Sequence, residues 1–191
     1  MPRSAAKPAV AVGRTPGRRR LPPGKRTKQM TGPWTRLAEH WRSQGLPIMA
    51  GCSETEIASA ERRWSCALPR DFRDYLASLG GMNPYYPGDQ DAEGYSFWPL
   101  ERLRTAVEEA RDHKWNACLL FPGAAKHVLF ADYLCWCWAL AFDVAETSPA
   151  YGSVCVIGHA VPVQIAGSFA EFVELYIVGS DALYPAPPRP W

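Results

Sequence analysis

The sequence lacks the features that announce most chemistries. No run of roughly 18 to 20 consecutive apolar residues exists, so no membrane-spanning helix is predicted, and no short apolar signal core follows the basic N-terminal stretch. There is no GxSxG elbow, no HExxH, no GxxxxGK and no GxGxxG. The usual sequence signals of α/β-hydrolases, zinc proteases, P-loop enzymes and dinucleotide binders are therefore missing. Cysteine is sparse: Cys52, Cys66, Cys118, Cys135, Cys137 and Cys155 form no CxxC pair and no regular framework, which suits reduced thiols in a cytoplasmic core. Residues 1–30 lack any acid and any aromatic side chain.

What those thirty residues do contain is nine Lys or Arg, five Pro, three Gly and a single Leu. No apolar stripe of helical or strand period runs through them, so they are expected to be disordered. Three readings compete for this segment. It is an arm for nucleic acid or anionic lipid, a transit peptide whose prolines oppose the required helix, or an over-extended translation start with Met30 as the true initiator. The last is favoured, because 18 of the 30 residues are Ala, Gly, Pro or Arg, whose codons are GC-rich, and helical patterning begins directly after Met30. The charge balance follows from this split. The 191 residues carry a formal +2, but residues 1–30 carry +9 and residues 31–191 set twelve bases against nineteen acids, giving −7. A single acidic domain over 33–178 is expected, followed by a Pro-rich tail over 179–191.

The first half reads as helices. Trp34, Leu37 and Trp41 fall on one face of a helix that stops at Gly45, and 46–53 reads as a connector. Ser53 and Glu56 form a capping box for a second helix with Ile57, Ala60 and Trp64 inward and Glu54, Glu56, Glu61, Arg62 and Arg63 mostly solvated. Pro69 opens a third, whose stripe of Phe72, Tyr75, Leu76 and Leu79 ends at Gly80-Gly81. A loop is expected from 82 to 94, a short strand over 96–100, and a helix over 100–112. The second half changes period. Short apolar runs over 127–130, 134–142, 153–157 and 161–165 read as strands of an antiparallel sheet, with 134–142 a central strand covered on both faces. A last helix starts at Ser168, with Glu171 completing a capping box and Phe169, Phe172, Leu175 and Tyr176 inward. Helices first and strands after give an α+β fold.

Few residues invite a functional reading. His40, His113, His127 and His159 sit in no catalytic motif. Cys135 or Cys137 could pair with His127 as nucleophile and base, but the cysteines fall in the middle of an apolar, Trp-rich run, the usual setting of inert core thiols. The same argument opposes a metal site, and no cofactor is expected. The 82–94 loop is the least bland surface. Tyr85 and Tyr86 offer rigid aromatic anchors, and Asp89, Asp91 and Glu93 attract a basic partner. The competing reading is a solvated connector whose tyrosines tuck onto the core. A body of charge −7 repels nucleic acid and attracts a basic protein.

The order of motifs resembles the SUKH superfamily, also called the SMI/KNR family. Its hallmark, an acidic E-x-x-I-x-x-x-E helix followed by L-P-x-D-[FY]-x-x-[FY]-L and a Gly-rich stop, is matched by Glu54, Ile57 and Glu61, then Leu68, Pro69, Asp71, Phe72, Tyr75 and Leu76, then Gly80 and Gly81. FWPLERL at 97–103, the run around Trp136 and the helix carrying Phe169 and Phe172 are similar to later family segments. Trp64-Ser65 and Leu79 depart from the pattern at helix ends. The resemblance implies a non-enzymatic binding fold with no catalytic residues to transfer. Bacterial members look chiefly like immunity proteins that neutralise a toxin domain, often a nuclease. Fungal members are cell-wall regulators and scaffolds. The expectation is thus a cytoplasmic immunity protein of a toxin system, with a housekeeping adaptor as the alternative and a cysteine hydrolase as a third reading. No membrane and no direct nucleic-acid contact by the folded body are expected.

Overall fold

A computed structural model of the chain describes residues 32–85, 88–113, 119–158 and 161–185. The expected disorder of residues 1–30 lies outside the described residues, as do Tyr86, Cys118 and His159. Three helices lead: α1 (Pro33–Ser43), α2 (Glu54–Trp64) and α3 (Arg70–Ser78). The capping box at Ser53 and Glu56 forms as the spacing requires, with the Ser53 side chain accepting from Glu56 N and the Glu56 side chain from Ser53 N. Between α1 and α2 the expected connector contains a short strand, β1 (Ile48–Ala50), which pairs with β2 (Leu79–Met82). Gly80 and Gly81 therefore sit in a strand as well as ending α3. A Cβ on Gly80 would lie 2.2 Å from the Ala50 carbonyl oxygen, and Gly81 has φ +95° with Trp98 O at 2.8 Å from such a Cβ. These glycines allow backbones to approach closely, a need that a helix-stop reading does not reveal.

The main sheet is antiparallel. β3 (Tyr95–Phe97) and β4 (Arg104–Thr105) pair with successive halves of β5 (His127–Tyr133), and β6 (Trp138–Asp143), β7 (Val154–Ile157) and β8 (Val163–Ala166) follow in order. Two sequence expectations change here. The helix expected over 100–112 is α4 (Ala106–Asp112), because Thr105 and Glu108 form a capping box that fixes the start six residues later than apolar spacing suggests. The strand expected over 134–142 is divided. Leu134, Cys135 and Trp136 take φ of 45°, 51° and 76°, so residues 134–137 form the turn of the β5–β6 hairpin and only the remainder is strand. Alternation of large and small side chains cannot reveal such a turn when it contains no Gly, Asn or Asp. The expectation of a covered central strand holds for β6, whose residues 139–143 are all buried between β5 and β7.

α5 (Phe169–Ile177) closes the fold. Ser168 caps it, accepting from Glu171 N, but Glu171 turns back to accept from Gly167 N rather than completing a box. Beyond it a 3-10 turn, Asp181–Leu183, buries Leu183, so the start of the expected C-terminal tail packs on the body. The layer of α1, α3 and α5 meets one sheet face through a continuous aromatic core. Phe72 lies 4.4 Å from Phe142 and 4.9 Å from Phe169, and Phe130 stacks on Phe142 at 4.4 Å between ring centroids. Such stacked, tilted and edge-on pairs are favoured arrangements, each worth about 0.5–1.5 kcal/mol beyond burial.

Candidate partner-binding site

The residues of the family-like pattern make contacts that hold elements of the fold together, and each charged one has partners. Glu61, expected in solvent, is half-buried: its Oε1 accepts from Leu68 N at 2.8 Å and its Oε2 pairs with Arg73, which also pairs with Glu54. It joins the end of α2 to the start of α3. Asp71 Oδ2 accepts from Ala170 N at 2.8 Å, so a carboxylate on α3 caps the N-terminus of α5 from 99 residues away. Ile57, Leu68, Phe72, Tyr75, Phe169 and Phe172 are buried in the core. Pro69 is the N-cap of α3. Trp136, expected as a core residue of a central strand, stands instead in the hairpin turn, half-buried, with its ring 5.2 Å from that of Trp98.

The hairpin turn also relocates the cysteines. Cys135 and Cys137 are exposed on it, not placed mid-strand, while Cys155 is buried. His127 begins β5 and the turn follows its end, so a strand length of roughly 20 Å separates the histidine from both thiols. His127 Nδ1 lies 3.1 Å from Gly123 O. The imagined Cys-His pair is not assembled.

Met82 ends β2, and the described residues after it up to Gly94 form no helix or strand, as expected, but the acids among them differ from one another. Tyr85 is 74% exposed, and Glu93 is exposed with Gln44 Nε2 donating to it at 3.1 Å. Gln44 also accepts from Ala92 N at 2.8 Å, which fastens the loop to the end of α1. Asp89 is half-buried. Asp91, expected on the surface with them, is buried: its Oδ1 accepts from Tyr95 N at 2.7 Å and its Oδ2 from the Tyr176 hydroxyl, which in turn accepts from Trp41 Nε1 at 3.0 Å. Burial pushes the Asp91 carboxyl above its ordinary range, against the pull of the Tyr176 hydrogen bond. Asp91 thus holds the loop onto α1 and α5 and is not free to meet a partner. Tyr86 lies outside the described residues.

Beneath the loop lies a feature the sequence does not announce. Asp89, Gln90, Asp91, Ser96, Arg102, Asp132 and Cys135 line an open cavity of about 430 Å³. Its floor is the cross-strand pair Ser96 and Asp132, on the sheet face opposite the aromatic core. Asp132 is 3% exposed and accepts from Trp98 Nε1 at 2.7 Å. The Arg102 guanidinium lies 4.4 Å above the Trp98 ring, with Nη2 at 3.5 Å from Asp132 Oδ2. Burial raises the Asp132 carboxyl, and the Trp98 hydrogen bond and Arg102 oppose the rise. Only the pairing of β3 with β5 unites these residues, so one-dimensional spacing carries no sign of the cavity. Among the described residues no group of three or more His, Cys, Asp or Glu is placed to hold a metal ion, and no helix is long and apolar enough to cross a membrane.

Comparison with known proteins gives one positive finding. No curated protein matches the chain. The sequence pattern of the SMI1 / KNR4 family (SUKH-1) matches residues 51–175. That stretch runs from just before α2 to near the end of α5, and it contains the Glu61–Leu68 and Asp71–Ala170 contacts that tie the helices together. With the match covering most of the chain and the fold an α+β arrangement of helices on an antiparallel sheet, the protein belongs to the SMI1 / KNR4 family (SUKH-1).

Proposed function

We propose that this protein is a cytoplasmic, non-enzymatic immunity protein that binds and neutralises a toxin domain, a basic nuclease being the class its surface suits. The family supplies a binding fold. The observation that carries the reading further is the 82–94 region, which exposes Tyr85 and Glu93 and whose half-buried Asp89 lines an acidic cavity, on a body of net charge −7. A nuclease active site is built to attract phosphate, so an acidic face competes for the same field and is drawn to it from a distance. Tyrosine beside the acids adds apolar contact at low entropic cost.

The test is neutralisation in cells. Expression of nuclease toxin domains from secreted polymorphic toxins arrests growth, and co-expression of this chain is expected to restore growth for one cognate domain and not for the others. Restoration of none across a broad panel would overturn the reading.

A further inference from the structure

We infer that the cavity floored by Ser96 and Asp132 receives a basic side chain, best an arginine guanidinium, projecting from the partner protein. This deepens the toxin-binding reading and rests on it for the identity of the partner. The cavity falls within the roughly 300–1,000 Å³ usual for ligand sites, far more than a single water requires. With Asp91 committed to Tyr95 and Tyr176, its ionisable lining sets Asp89 and Asp132 against Arg102 alone, so one further cation is favoured there.

The polar groups at the floor have capacity to spare. Ser96 is 7% exposed, lines the cavity, and its hydroxyl has no hydrogen-bond partner among the described residues. The flanking residues Tyr95 and Phe97 turn toward Tyr176 on α5, and strand alternation sends Ser96 the other way, into the cavity. Asp132, directly across the strand pair, accepts from Trp98 and from the Trp136 backbone N–H, while Arg102 at 3.5 Å is beyond the 2.7–2.9 Å of a formed charge-assisted bond. A carboxylate offers about four acceptor sites, so Asp132 remains open to donors. The Gln90 amide nitrogen donates to Gly94 O at 2.9 Å, which commits the nitrogen to the loop and leaves the amide oxygen as an acceptor. A guanidinium carries five N–H donors in a plane and stacks on aromatic and guanidinium faces, which matches this set of acceptors beside Trp98 and Arg102.

The probe is N-acetyl-arginine amide, titrated into the full chain, with the indole N–H resonance of Trp98 as reporter because that group bonds directly to Asp132. A saturable shift is expected, at least tenfold weaker for N-acetyl-citrulline amide, which keeps the shape and loses the charge. Asp132→Asn and Asp89→Asn are each expected to weaken the arginine probe at least fivefold. If Asp132→Asn does not fold, Asp89→Asn at the half-exposed rim decides. No saturable shift, or equal binding of the uncharged probe, overturns the inference. The assay contains no toxin, so its failure leaves the neutralisation reading standing. Probe binding without neutralisation of any toxin domain would instead overturn that reading and retain the cavity.

Discussion

Asp71 shows how one carboxylate can belong to two elements. The pattern LPRDF places it in the first turn of α3, where a helix-dipole role is expected. Its Oδ2 acts on α5 instead, accepting from Ala170 N. Asp71→Ala is expected to lower stability by about 1–2 kcal/mol, the usual cost of losing a helix-cap acceptor, whereas Asp74→Ala on the exposed side of the same helix should stay within about 0.5 kcal/mol. Urea denaturation of the two variants measures the difference, and equal effects would remove the inter-helix role. The thiols give a second test at this scale. Cys135 and Cys137 are exposed, burial raises Cys155, and burial pushes half-buried Cys52 up to about 11. Brief iodoacetamide treatment at pH 8 should therefore modify Cys135 and Cys137 first and Cys155 last, as read by peptide mass spectrometry. Protection of Cys135 and Cys137 would contradict the placement of the hairpin turn, and early modification of Cys155 would contradict the burial of β7.

At the scale of elements, legibility followed the range of the forces involved. α1, α2, α3 and α5 were visible because each carries an apolar stripe of helical period and a local stop or cap. β1 was not, since its three residues are half-exposed or exposed and only pairing with β2 makes them a strand. The 134–137 turn was hidden because its left-handed residues are Leu, Cys and Trp, which no turn rule favours. The loop was legible as a loop, but the division of labour among its acids was not, because burial of Asp91 depends on Tyr176 arriving from α5. That burial has a pH consequence. A carboxyl raised above its unfolded value of about 3.9 binds more protons in the folded state, so its contribution to stability is lost as pH rises from about 4 through the folded value. The stability of the wild type relative to Asp91→Asn should accordingly fall as pH is raised from 4 toward neutrality. A relative stability that rises over that window would show that the Tyr176 hydrogen bond outweighs desolvation.

For the whole molecule, the organisation is a rigid aromatic core on one face of the sheet and a polar cavity on the other, joined at the 82–94 loop. Phe72, Phe130, Phe142 and Phe169 fix the helices to the sheet, so the loop and cavity are presented by elements that do not depend on their charge. Folding and recognition are therefore separable by mutation, provided that the buried Asp91 and Asp132 are spared. The association of an acidic face with a basic partner also has a signature that apolar docking lacks, because screening weakens it as salt rises.

The most direct measurement is the affinity of the chain for a nuclease toxin domain of the proposed class, at 50 and 300 mM salt, for the wild type and for Asp89→Asn/Glu93→Gln. The double variant is expected to melt at the wild-type temperature, to bind at least tenfold more weakly at low salt, and to lose less affinity than the wild type when salt is raised. Equal affinity and equal salt dependence in the two proteins would contradict this expectation.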